Sequence, residues 1–216
     1  MKPHIKKIRL EVLDYLINFV VIFAIVFGVQ AWIIAPFDIF GPSMCDTLNN
    51  LKNTCQSGYG EKILLNEFFY KRGDPKRGDI VVFKSPSDNT KYFIKRVIGL
   101  PGETIDIKNG EVYLTKKDEK ISHKIDESYL NEINKGKTKT YFSNFAHFEV
   151  PEDKYFVMGD NRIASTDSRS CFEGTLSLKC QENPESAYID KENIRGKAML
   201  VWWPIKTAKL LKNPIY

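Results

Sequence analysis

Three short segments hold residues whose types and spacing suit chemistry. The first is Phe40-Gly41-Pro42-Ser43-Met44, a serine in a Gly-Pro turn. Gly41 permits a tight backbone and Pro42 fixes φ on the approach, so the turn can hold a hydroxyl outward and leave the Ser43 N–H free. On its own such a serine is equally an ordinary turn residue. The second is Tyr92-Phe93-Ile94-Lys95-Arg96-Val97-Ile98-Gly99. Strand alternation puts Phe93, Lys95, Val97 and Gly99 on one face and Tyr92, Ile94, Arg96 and Ile98 on the other. Either Lys95's face is wet and the side chain snorkels, or the face is apolar and the amine is desolvated. A desolvated amine is a usable base for a serine hydroxyl. The third runs from Met158 to Arg169, a dense set of small polar and charged residues directly after a strand pattern. As a plain surface loop it would hold Asp167 and Arg169 merely as an exposed ion pair.

Other reactive side chains offer less. His4, His123 and His147 are scattered and form no H-E-x-x-H, so a histidine metal site or a Ser-His-Asp triad has little material. His147 reads as a half-buried strand residue. The four cysteines, Cys45, Cys55, Cys171 and Cys180, fall into two local pairs with no C-x-x-C spacing. Sequence alone does not choose among the three pairings. In an oxidising compartment Cys45–Cys55 and Cys171–Cys180 would each close a short loop.

The elements that must position these residues follow from composition and pattern. The 216 residues leave room for one sizeable domain, or one domain and an appendage. At 43% hydrophobic and 27% charged, the chain is neither wholly disordered, nor collagen-like, nor a multi-span membrane protein. The net charge of +5 is too small to indicate nucleic-acid binding. Residues 15–37 contain no charge. As a helix they would run about 35 Å, enough for a bilayer core of about 30 Å. The run is longer than a signal-peptide core and no A-x-A site follows it, so it reads as a permanent anchor. Lys2, Lys6, Lys7 and Arg9 precede it, against Glu11 and Asp14, which places the N-terminus in the cytoplasm. The expected organisation is therefore a basic tail over 1–14, a transmembrane helix over 15–37 and an extracytoplasmic domain over 38–216.

That domain reads as mainly antiparallel β. Runs rich in β-branched and aromatic residues occupy 62–66, 79–84, 92–98, 104–108, 111–115, 154–158 and 197–203. Asn109-Gly110 between two of them is a hairpin signal, since both positions tolerate φ > 0. A Lys/Glu-rich stretch within 116–147 reads as an exposed insert with one short helix. Phe37, Ile39, Phe40 and Trp202-Trp203-Pro204-Ile205, with Lys206 and Lys209 nearby, suit either a patch dipping into lipid or ordinary packing.

The three segments occur in the order Ser-Met turn, I-K-R-V-I-G-L-P-G-E and G-D-N-R-x-x-S-x-D-S-R. With them stand residues 59–86 and the closing I-R-G-K-A-M-L-V-W-W-P. In these motifs the chain resembles the bacterial type I signal peptidases, membrane-bound Ser-Lys proteases. The resemblance implies a serine endopeptidase that removes signal peptides from exported preproteins through an acyl-enzyme, without metal or cofactor. It implies Ser43 as nucleophile and Lys95 as general base. Ser165 would orient the lysine, and Asp167 and Arg169 would brace that loop. Met44, Leu48, Phe93 and Ile94 would form small apolar pockets favouring Ala-x-Ala cleavage sites. It also implies a single-pass protein of the bacterial inner membrane. Gly41 stands where some members carry a hydroxyl that helps bind the oxyanion, so the donors there would be the Ser43 N–H and whatever else the fold supplies. Cys45 and Asp46 replace the usual residues, and the insert matches no motif of the family. A specialised Ser-Lys maturation peptidase of a secretion or conjugation system is the neighbouring reading. A non-enzymatic anchored β-domain is the other.

Overall fold

The apolar N-terminal run forms one helix, α1 (Pro3–Trp32). This computed structural model describes residues 3–32, 34–141, 145–173, 179–214 and 216. Lys2, and the side chains of Lys6, Lys7 and Arg9, lie outside the described set. The apolar window Glu11–Gly28 has none of its surface buried against protein. Apolar surface on that scale is stable in lipid, not in water. The helix stops short of the expected boundary at 37. Ile34–Phe40 is instead a strand, β1, paired antiparallel along most of its length. Pro36 explains the difference: it lacks an N–H and steers Ala35 into extended backbone.

Beyond β1 come the short β2 (Asn50–Leu51) and β3 (Thr54–Cys55), which pair with each other, and then β4 (Tyr59–Asn66). A single helical turn, α2 (Phe69–Arg72), leads to β5 (Ile80–Ser85) and the long β6 (Asp88–Gly99). Next are β7 (Thr104–Lys108), β8 (Glu111–Thr115), β9 (His123–Lys124), β10 (Phe145–Glu149) and β11 (Lys154–Met158). The chain closes with α3 (Lys179–Glu182), β12 (Ile189–Asp190), β13 (Ile194–Trp203) and β14 (Lys209–Leu210). All seven expected strand runs are present. The main sheet has the order β1-β4-β13-β5-β6-β11-β12, with β14 added to β13, and every pairing is antiparallel. A second sheet has the order β10-β7-β8-β9. Its central hairpin turns at Asn109 (φ 52°) and Gly110 (φ 81°), the left-handed pair that an Asn-Gly turn requires.

Alternation along the strands divides the core. Ile80, Val82 and Ile94 pack with Ile39, Ile63 and Leu65 in one cluster. Val81, Phe83 and Val97 pack in another, on the opposite face of the same strands. The alternation also corrects the lipid-patch expectation at one position. Ile39 is buried in the core, whereas Phe40, Trp202, Trp203 and Ile205 are exposed. His147 sits on β10 with its side chain about half exposed, Nδ1 2.7 Å from Asp106 Oδ1. Both cysteine pairs are joined, Cys45 to Cys55 and Cys171 to Cys180, each with Cα atoms 5.5 Å apart.

The insert differs most from expectation. Lys116–Lys124 is exposed as read, but 125–141 folds back on the domain, and the segment has no helix among the described residues. Ile125, Glu127, Leu130, Asn134 and Thr138 are all buried. Residues 142–144 lie outside the described set. The polar members are tolerated inside because each meets a partner of complementary chemistry there.

Since Glu11–Gly28 of α1 is not buried against the domain, residues 33–216 expressed alone should fold. The thermal midpoint should lie within about 4 °C of the full chain, the shift expected for about 1 kcal/mol in a domain of this size. A melt without a cooperative transition would place the helix in the core.

Candidate active site

The serine turn is held from three sides. Gly41 has φ 86°, a left-handed value that a side chain would strain. Beneath it lies Asn49, fully buried, whose Nδ2 donates to Gly41 O and Gly58 O at 3.0 Å each. Asn49 N donates to Glu61 Oε2 (2.7 Å), and Glu61 N donates back to Asn49 Oδ1 (2.9 Å). From the far side Asn161 N donates to Ser43 O (3.0 Å) and Asn161 Nδ2 to Pro42 O (3.1 Å). The Cys45–Cys55 disulfide closes the loop that follows. With its carbonyls so occupied, the turn has little freedom, and among the described residues the Ser43 N–H meets no backbone carbonyl.

Lys95 lies on β6 opposite Val81 of β5 and is only 4% exposed. This settles the choice that alternation left open: the face is apolar and the amine is out of water. Nζ stands 2.8 Å from Ser43 Oγ and donates to Ile94 O at 2.8 Å. It also sits 5.3 Å from the centre of the Phe93 ring. Burial pushes the Lys95 amine down to about 8, against an upward pull from Asp167 and Asp160 and a further downward push from Arg169.

The loop over 159–169 surrounds this pair. Asp167 and Arg169 are both buried and joined in a two-point contact, Nε to Oδ1 at 2.8 Å and Nη2 to Oδ2 at 2.7 Å. Gly159 N donates to Asp167 Oδ2 (2.9 Å). Burial would raise the Asp167 carboxyl, but the Arg169 guanidinium and these hydrogen bonds hold it below its ordinary value. Asp160 is likewise clasped by Arg96, Nε to Oδ1 at 2.8 Å and Nη2 to Oδ2 at 2.7 Å. Arg162 donates to Gly159 O and reaches into the insert, where it binds both oxygens of Glu127, Thr138 Oγ1 and Tyr129 OH. A Cβ on Gly159 would fall 2.2 Å from Ser165 Oγ and 2.4 Å from Ser43 O, so only glycine lets the loop approach the serine turn.

Of the site residues read from sequence, Gly41, Ser43, Lys95, Ser165, Asp167 and Arg169 converge in this region. The expected bond from Ser165 to Lys95 is not formed. Ser165 Oγ is buried, and Lys95 Nζ donates to Ser43 Oγ and Ile94 O instead. Phe93 and Ile94 line an apolar cleft of about 840 Å³ with Phe37, Gly41, Ser43 and Lys95. Met44 and Leu48 lie outside the lining, buried in the same core cluster as Ile94. Asn49, Glu61, Arg96 and Glu127 went unread, since each acts on a partner distant in the chain. Asn161 was visible only as part of the G-D-N-R stretch.

Replacing Asp167 with Asn would leave Arg169 buried without its counterion. We expect Asp167→Asn to lower stability by about 3–5 kcal/mol in urea unfolding. A variant as stable as the parent would show that the pair is not holding the loop.

Residues 12–203 match the family model described as signal peptidase, peptidase S26. The chain is similar to signal peptidase I P of Bacillus subtilis subsp. natto, 36% identical over 210 residues, 96% of this chain and 97% of that one. It is similar to signal peptidase IB of Staphylococcus aureus strain MRSA252, 32% identical over 215 residues, 94% of this chain and 96% of that one. A crystal structure of a signal peptidase I from Enterococcus faecalis V583 is 26% identical, covers 58% of this chain and 97% of its own, and has a TM-score of 0.41. Matched by the family model over most of its length, and end to end by relatives above 30% identity, the chain belongs to the signal peptidase family, peptidase S26.

Proposed function

We propose that the chain removes signal peptides from exported preproteins as a membrane-anchored serine endopeptidase, with Ser43 as nucleophile and Lys95 as general base. The observation that carries this is a lysine amine, shielded from water, 2.8 Å from a serine hydroxyl at the wall of an apolar cleft. A lysine with its amine near 8 is roughly 10% neutral at pH 7, against roughly 0.03% for an unperturbed one. In the neutral form the hydrogen bond reverses and the Ser43 hydroxyl donates to Nζ. Ser43 Oγ attacks the scissile carbonyl while Nζ takes its proton. The Ser43 N–H faces the oxygen that becomes negative; Gly41 supplies no hydroxyl there, so the backbone is the donor on this side. The tetrahedral species collapses as Nζ–H protonates the departing amine. Water then gives a proton to Nζ and attacks the ester, and Ser43 regains its proton on release of the acid.

The cleft suits an extended peptide. β6 pairs with β11 only from Arg96 onward, so on that side the backbone before it is unpaired next to Lys95. Among the described residues β1 pairs only with β4. The two strands face each other across the cleft, with Phe37 and Tyr92 in edge-to-face contact at 6.0 Å. Phe93 and Ile94 beside Lys95, backed by Met44 and Leu48, favour small side chains at positions −1 and −3, hence Ala-x-Ala sites. The tail over 1–14 lies in the cytoplasm, α1 crosses the bacterial inner membrane, and the β-domain lies outside. Exposed Phe40, Trp202, Trp203 and Ile205, with Lys206, rest on the lipid surface. Enzyme and signal peptide then share one bilayer, which raises their effective concentration.

Ser43→Ala should lose about 10⁴-fold or more in preprotein cleavage while remaining folded. Lys95→Arg should be as inactive, because arginine stays protonated at any usable pH. In the parent enzyme kcat/KM should rise with pH through about 8, since the base works only once deprotonated. A substantially active Lys95→Arg enzyme would remove the mechanism.

A further inference from the structure

Asp46 and the insert contact each other. Asp46 follows Cys45 in the serine turn, and its carboxylate faces the insert. Asn131 N donates to Asp46 Oδ2 (2.8 Å) and Asn134 Nδ2 donates to Asp46 Oδ1 (2.7 Å). Asn134 is 2% exposed, and its other amide atom is also used: Oδ1 accepts the Ile163 N–H at 3.1 Å. The orientation of this amide follows from its partners, since a carboxylate only accepts and a backbone N–H only donates. Ile163 stands two residues beyond Asn161, which holds Ser43 O and Pro42 O. The contacts therefore close a circuit that runs from Ser43 to Asp46, across Asn134 to Ile163, and back through Asn161 to Ser43. Neither Asp46 nor Asn134 touches Ser43 Oγ or Lys95 Nζ.

We propose that Asn134 is a positioning residue for the nucleophile, its side-chain amide linking Asp46 of the serine turn to Ile163 of the loop behind it. The insert thereby takes part in aligning Ser43 with Lys95. The physical reason is that the Asn49 and Asn161 bonds hold Gly41, Pro42 and Ser43, whereas the chain beyond Ser43 toward Asp46 takes its link to the 159–169 loop through Asn134. Misplacement of a reacting group by about 1 Å costs up to about 10²-fold in rate. This inference rests on the Ser43–Lys95 reading above.

The test uses the full-length enzyme in detergent, cleaving a preprotein with an Ala-x-Ala site. Asn134→Asp keeps the acceptor for Ile163 N–H but sets two carboxylates face to face, so kcat should fall about tenfold or more with KM within about twofold. Asp46→Asn should fall similarly, because two amide donors then meet. In the double variant D46N/N134D the amide at position 46 donates to the carboxylate at position 134, and every donor again has an acceptor. Its kcat should return to within about twofold of the parent. A contact that serves bulk stability alone would leave kcat unchanged in the folded single variants. Should Asn134→Asp fail to fold, Asp46→Asn against the double variant carries the same comparison. Single variants with parental kcat, or a double variant no faster than the slower single, would overturn the inference. Lys120→Ala, in the exposed part of the insert, serves as the control with parental kcat. An active Ser43→Ala enzyme would instead remove the underlying mechanism. An inactive Ser43→Ala with parental kcat in the single variants removes only the role of Asn134.

Discussion

A lysine amine kept out of water beside a serine hydroxyl is the constraint around which the rest of the domain is arranged. Burial alone favours the neutral amine, but two carboxylates, Asp167 and Asp160, lie close enough to pull it back toward the charged form. Each of them is clasped by an arginine at two points, Asp167 by Arg169 and Asp160 by Arg96. A carboxylate and guanidinium in contact present a small net field at a distance, so the pairs can fix the loop without holding Lys95 charged. Buried ion pairs contribute little net stability against an apolar core of the same volume. Their use here is geometric: they lock the chain around a group that tolerates no nearby net charge.

The strand pattern was legible because alternation and turn chemistry act locally. Residues 104–108 and 111–115 about Asn109-Gly110 could be read at full length, since two left-handed residues admit essentially one kind of hairpin. The end of the membrane helix was not, because absence of charge says where a segment is apolar and not where it stops. Pro36 held that information, and its weight became plain only with β4 as the partner of β1. Ser43 and Lys95 were readable as residues but not as a contact. Alternation left Lys95 either wet or dry, and the answer lies in what packs on β5 and β6.

The insert was misread for a physical reason. A Lys/Glu-rich stretch has the composition of a solvated face, and its first part is one. Glu127 is nonetheless buried because its counterion, Arg162, stands 35 positions further on, and no local pattern encodes a partner at that distance. Asn49 and Glu61 escaped notice in the same way, each needing the other to be satisfied. Ser165 presents the opposite case. The resemblance implied a bond to the lysine, yet the two hydrogen bonds that Nζ makes go to Ser43 Oγ and Ile94 O.

The chain that leaves the membrane helix is also the chain that walls the cleft. Only Ile33 separates α1 from β1, and β1 carries Phe37 and Phe40 to the cleft before the turn at Gly41. Seven extended residues reach about 23 Å at about 3.3 Å each. On the proposed reading, the height at which a scissile bond is met above the bilayer would be bounded by the span of this paired strand. On that reading such a domain would act as a measuring rod: a peptide bond with acceptable neighbours but set too far from the membrane would be out of reach, and specificity would be written in distance as well as in side chains.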